Sequence, residues 1–196
     1  MTTKIRFLYH SPKGERGIGK AIVIWTWFLG LFYNWKVLKY SFSHEEVWLP
    51  DEDEHFMAFL GMAGPGYKEV VFPICGQCFS STTRGNAKGV RFAPASEVLK
   101  HPERWSYIEC EVDAERLEVA VCEAKRLVGC RYDFLGTFGF LNPLPIQDSK
   151  RWYCSEICDW FKVLLKIHPK RQGRVSPRRS AYLLSRKYGE PIPLVV

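Results

Sequence analysis

Apolar and polar residues recur along the chain in blocks whose spacing predicts most of its elements. Residues 4–9, Lys-Ile-Arg-Phe-Leu-Tyr, read as a short strand. Pro12, Gly14, Gly17 and Gly19 make 11–19 a loop. Residues 21–35 are the most apolar stretch, at about 15 residues against the ~20 needed to span a bilayer. A buried helix is expected there; Trp25, Trp27 and Trp35 give an interfacial segment as the alternative. Residues 41–49, Ser-Phe-Ser-His-Glu-Glu-Val-Trp-Leu, suit a strand that puts His44 on one side with Phe42, Glu46 and Trp48. An acidic turn follows at 50–54. Further strands are expected at 67–74, 77–83, 90–92 and 105–112, with a turn at 85–89 and a brief helix from Ser96 to near Lys100.

The second half of the chain is helical in period. Asp113 caps a helix whose buried face is Leu117, Ala120, Val121, Ala124, Leu127 and Val128, and Gly129 stops it. A Gly- and aromatic-rich connection occupies 131–145. Ile157, Trp160, Phe161, Leu164 and Leu165 then mark one face of a helix that ends by Pro169. Ser176-Pro177 reads as an N-cap and first helical residue, opening a last helix to about Lys187. The tail, 188–196, is expected along the surface. Strands cluster in the middle and helices flank them, which is an α+β order rather than a βαβ repeat. A length of 196 residues suits a single domain over 1–196, and no internal repeat is visible.

Composition narrows the class. A hydrophobic content of 46% with 15% aromatic is globular, not disordered. Met1 to Arg6 lacks the apolar region and cleavage site of a signal peptide. Seven cysteines at scattered positions are read as reduced thiols in a cytosol-like compartment. The net charge of +7 is concentrated late: Lys166, Lys170, Arg171, Arg174, Arg178, Arg179 and Arg186 follow Lys162 with no acidic residue before Lys187. A solvated helix face is the expected role of this 162–187 segment, and attraction to an anionic surface the alternative. Nucleic acid is not an expected partner, because no aromatic side chains interleave with these charges for base stacking.

The candidate chemistry centres on 151–161, Arg-Trp-Tyr-Cys-Ser-Glu-Ile-Cys-Asp-Trp-Phe. Ser155, Glu156 and Asp159 favour a first helical turn, which puts Cys154 at the helix start. Unpaired N–H groups and the positive end of the helix dipole lie there, stabilising a thiolate and any oxyanion beside it. A thiolate nucleophile needs a base and a group to orient that base. Of His10, His44, His55, His101 and His168, His44 is the best base, because it lies on a strand among polar neighbours.

The order Ser-His-Glu-Glu-Val, then 129–136 as Gly-Cys-Arg-Tyr-Asp-Phe-Leu-Gly, then Trp-Tyr-Cys-Ser-Glu at 152–156, resembles the circularly permuted papain-like hydrolases. The similarity is to the YiiX-like branch of the NlpC-type superfamily, over about 41–187. In that branch, found in bacteria and their phages, the histidine strand precedes the cysteine helix, as here. The resemblance implies a central antiparallel sheet or half-barrel with the catalytic helix packed on it. It implies Cys154 as nucleophile, His44 as general base and acid, and Tyr132 as a phenol donor near the oxyanion. The family's third, orienting group comes from the next strand, where this chain has Ser80 and Ser81. Hydroxyls there depart from the family pattern. Glu46 is an alternative orienting group, and loss of activity is another outcome.

The implied reaction is thiol hydrolysis or acyl transfer, of peptidase or amidase type, through an acyl-enzyme. The substrate is an amide, ester, thioester or peptide, or an acyl lipid, and no cofactor is called for. The alternative is a non-catalytic papain-like binding or structural module, virion-associated in a phage setting. Cys75-x-x-Cys78 has metal-ligand spacing, but without a matching second pair it does not make a structural zinc site.

Overall fold

Runs of β-branched and aromatic residues build one sheet, in the order β4-β3-β2-β1-β5-β8. Its strands are β1 (Thr2–His10), β2 (His44–Leu49), β3 (Gln77–Thr82), β4 (Gly89–Pro94), β5 (Trp105–Asp113) and β8 (Ile192–Pro193), every neighbouring pair antiparallel. A short parallel pair, β6 (Arg131–Tyr132) and β7 (Arg151–Trp152), stands apart. The helices are α1 (Ala95–Val98), α2 (Ala114–Arg126), α3 (Cys154–Leu164) and α4 (Pro177–Tyr188), with 3-10 turns at Trp35–Lys39 and Pro102–Arg104. The structure, a computed structural model, describes residues 1–12, 24, 35–49, 75–83, 88–134, 150–170 and 175–194. The acidic turn at 50–54 and the strand at 67–74 lie outside the described residues, as do most of the expected 21–35 helix and of the 131–145 connection.

The α+β class holds, with a mainly antiparallel sheet. β1 is its spine. It pairs with β5 from Thr2 opposite Asp113 to His10 opposite Trp105, and with β2 from Arg6 opposite Trp48 to His10 opposite His44. Side chains alternate across a strand, so β2 divides its residues between two cores. Val47 joins Phe7, Phe79, Ile108, Ile157, Cys158 and Phe161 on the face covered by α3. Trp48 joins Leu8, Cys78, Leu99 and Trp105 on the other. Ile157 and Phe161, each 0% exposed, contribute roughly 2 kcal/mol apiece by burial alone.

Local signals act where the sequence places them. The Asp113 carboxylate accepts from Arg116 N–H at 3.0 Å and starts α2, and Gly129 takes φ +90° just past its end. The Ser176 hydroxyl accepts from Arg179 N–H at 3.2 Å and starts α4, with Pro177 as its first residue. Three expectations need correction. Val128 is half exposed, because α2 ends at Arg126 and the chain turns before completing that face. The tail does not merely lie on the surface: Ile192 pairs with Tyr107, and Leu194 is buried in the second core. The late basic run is not uniformly solvated, since Lys162 and Arg178 are among the most buried side chains of the protein.

Gly89 opens β4 at φ +105°, a region that suits glycine. Val90 N–H donates to Cys130 O at 2.9 Å, and Gly129 N–H to Val90 O at 3.0 Å, so β4 is stitched to the end of α2. A Cβ on Gly89 would lie 2.2 Å from Cys130 O, inside backbone that cannot swing aside. Gly89→Ala is therefore expected to destabilise by about 2 kcal/mol or more, read as a lower urea midpoint at unchanged slope. An unaltered midpoint would show that β4 does not need this approach.

Candidate active site

Two element starts make the site. The chain reaches α3 in extended form, with Tyr153 at φ −96°, ψ 166°, and Cys154 is the first helical residue. Tyr153 places no side-chain hydrogen bond over the helix start. The first-turn N–H groups therefore have no side-chain cap from that residue. His44 is the first residue of β2. Its imidazole lies close enough to Cys154 for the charge on that sulfur to act on it directly. Cys154 and His44 are 4% and 8% exposed, so the pair is largely withdrawn from water.

Glu46 orients the imidazole. His44 Nε2 donates to Glu46 Oε1 at 2.9 Å, which leaves Nδ1 as the ring nitrogen for the sulfur. Strand alternation brings Glu46 to the face of His44, two residues along. Arg91 then clamps Glu46 with a two-pronged grip, Nη1 to Oε2 at 2.9 Å and Nη2 to Oε1 at 2.6 Å. The register explains its reach. Ser80 of β3 stands opposite Arg91 of β4, and the pairing of Val47 with Phe79 brings Ser80 next to Glu46. A residue as small as serine lets the guanidinium pass over it. Trp105 packs edge-on beside both histidines, its ring centroid 6.3 Å from His44 and 4.9 Å from His10.

The electrostatics follow this order. Burial pulls the His44 imidazolium down, but the negative charge and hydrogen bond at Cys154, with Glu46, outweigh it and raise His44 to about 9. Burial pushes Glu46 up, but Arg91 and His44 overcome it and hold the carboxyl at about 2. Burial raises the thiols of Cys78 and Cys158 well above the ordinary value and that of Cys110 to about 12, so these stay neutral and inert.

Ser80 and Ser81 have other partners. The Ser80 hydroxyl donates to Glu45 O at 2.7 Å, and that of Ser81 to Trp152 O at 2.6 Å. Both are committed to backbone, so neither orients the imidazole; Ser81 instead ties β3 to the strand that leads into Cys154. Tyr132 pairs with Trp152 across β6 and β7 and packs edge-on against Phe134 at 5.1 Å. Cys158 lies one turn below Cys154 with its thiol toward Glu45 O at 3.7 Å. Among the described residues, no group of three or more His, Cys, Asp or Glu is placed to hold a metal ion. His55 lies outside the described residues. Among the described residues, no helix is long and apolar enough to cross a membrane.

A second polar cluster sits behind the site. Glu45 points to the opposite face from His44, and its Oε1 meets the Lys162 ammonium of α3. The Ser180 hydroxyl of α4 donates to the same oxygen at 2.9 Å, and Lys162 also donates to Ser180 at 2.5 Å. Burial pushes Glu45 up, against Lys162 and Ser180, which favour its charged form. Neither Lys162 nor Arg91 carries a motif in the sequence. Each is a cation whose partner comes from a distant strand.

Compared with known proteins, the chain matches no family model, no curated protein and no solved structure.

Removing one member of a buried ion pair strands the other charge, at a cost of about 3–5 kcal/mol. Lys162→Met is expected to lose that much, and Lys162→Met with Glu45→Leu to regain most of it, in urea unfolding of the singles and the double. Simple additivity of the two substitutions would show that the contact carries no coupling.

The Glu46 shift gives a pH signature. A carboxyl depressed from 4.5 to about 2 contributes stability that is present above pH 4.5 and lost as pH falls through 2. Wild type is expected to exceed Glu46→Gln by roughly 3 kcal/mol at pH 6, with the gap closing toward pH 2. A gap that stays constant over that range would contradict the clamp.

Proposed function

We propose that this chain is a thiol hydrolase or acyltransferase of peptidase or amidase type, with a permuted papain-like fold. The observation that carries the reading is the single line of contacts from Cys154 through His44 and Glu46 to Arg91. Support also comes from the antiparallel sheet with α3 packed on it, and from the histidine strand preceding the cysteine helix. A carboxylate in the orienting position, where only hydroxyls were evident on β3, favours catalysis over an inert module of the same shape.

The Cys154 thiolate attacks the carbonyl carbon of an amide, ester or thioester. The carbonyl electrons move to oxygen, which the first-turn N–H groups of α3 stabilise. The tetrahedral species collapses as His44 Nδ1–H gives its proton to the leaving amine, alcohol or thiol. An acyl-Cys154 thioester remains. Neutral His44 then takes a proton from water, or from an acceptor nucleophile, which attacks the thioester and releases the product. Glu46 holds the ring in one orientation through both steps, and Arg91 keeps Glu46 ionised and fixed.

Iodoacetamide tests the nucleophile without a known substrate. Cys154 is expected to be alkylated at pH 7 well ahead of the other six cysteines, by peptide mapping. Labelling at 154 should vanish in Cys154→Ser, slow by roughly a hundredfold in His44→Ala, and slow less in Glu46→Gln. A Cys154 no faster than the exposed Cys122 would sink the enzyme reading.

A further inference from the structure

Arg178 is the second residue of α4, after the Ser176 cap and Pro177. Its side chain is 1% exposed, and among the described residues its Nε and Nη1 have no hydrogen-bond partner. Buried guanidinium groups are ordinarily paired, because the uncompensated charge is costly. No carboxylate offsets the burial of Arg178, which alone lowers it to about 10, so it remains a cation at neutral pH. The first turn of α4 contains no acidic residue either. A helix start and a guanidinium thus present positive charge together, without a counterion among the described residues.

Position gives this pair a use. A side chain at the second helical position leans back toward the helix start. That start is joined to the nucleophile's turn: the Ser155 hydroxyl, next to Cys154, donates to Val175 O at 2.5 Å, one residue before the Ser176 cap. Among the described residues the other largely buried basic side chains are paired, Arg6 with Glu109, Arg91 with Glu46 and Lys162 with Glu45. Arg178 is the cation left over.

We propose that the start of α4, with the Arg178 guanidinium, is an oxyanion subsite beside Cys154 that takes a carboxylate or phosphate of the acyl donor. Its role toward the acyl donor rests on the thiol chemistry proposed above; anion binding itself does not. The preferred substrates are then amides or esters carrying a negative group close to the scissile carbonyl. Specificity comes from the two-pronged geometry of arginine, which lysine does not reproduce.

The full-length chain is titrated with inorganic phosphate, and separately with acetate, against chloride at matched ionic strength, and thermal unfolding is followed. The better of the two anions is expected to raise the midpoint of wild type, and Arg178→Met to lose that rise. Arg178→Lys, which keeps the charge, is expected to bind roughly tenfold more weakly and serves if the methionine variant does not fold. A larger effect of acetate assigns a carboxylate, and a larger effect of phosphate a phosphate. No rise in wild type, or an equal rise in wild type and both variants, overturns the subsite. Its placement is read from the rates of Cys154 alkylation by iodoacetate and iodoacetamide. The ratio of the anionic to the neutral reagent should fall on the order of tenfold in Arg178→Met or, with a smaller drop, in Arg178→Lys. An unchanged ratio overturns the placement. A wild-type Cys154 slow toward both reagents counts against the thiol reading, while the anion titration still decides the subsite.

Discussion

The structure turns on one ion pair, Glu45 with Lys162, which sets where α3 lies on the sheet. Glu45 and His44 are neighbours on β2 and point to opposite faces. Lys162 is eight residues beyond Cys154 on α3, roughly 12 Å along the axis. One residue of the strand therefore grips the far half of the helix while the next meets its beginning. Two contacts that far apart fix both the slide and the tilt of a rigid helix. Hydrophobic packing of Ile157 and Phe161 supplies the attraction, but apolar surfaces tolerate small shifts that a buried charge pair does not. Ser180 brings α4 into the same junction, so the start of that helix is held with respect to Cys154 as well.

Much of this was legible in the residues, and the boundary is physical. Strand alternation and helical period depend on one segment at a time. They predict β1 to β5, α2, α3 and α4, and the shared face of His44 and Glu46. Caps do the same at Asp113 and Ser176. The role of Arg91 was not legible, because it depends on the register of three strands and on Ser80 being small enough to reach over. Ser80 and Ser81 looked like orienting groups because they occupy the right strand. Their hydroxyls instead serve backbone carbonyls that only the tertiary fold brings near. Lys162 and Arg178 belong to a basic run whose composition predicts a solvated face, although both are buried. A charge count along the chain cannot tell an ammonium in water from one facing a buried carboxylate.

The same residues explain how a site this dry can be charged. In the proposed ion-pair state the charges alternate: Arg91 positive, Glu46 negative, His44 positive, Cys154 negative. Glu46 is hydrogen-bonded to a basic group on either side, and the charge at Cys154 acts on His44 at close range. Desolvation opposes the charge on both His44 and Glu46, yet His44 rises and Glu46 falls, because the neighbours' charges and hydrogen bonds outweigh burial in both. Across β2 Glu45 also meets a cation, Lys162, but there burial outweighs the neighbour's charge and Glu45 is raised. Any protonation change must then be local, a proton moved along the chain of contacts rather than a net charge added to the interior. That constraint suits acyl transfer, in which a proton passes from imidazole to leaving group and returns from water. It also isolates Arg178, whose charge no described side chain cancels. An anion against that guanidinium would offset the cost of its burial.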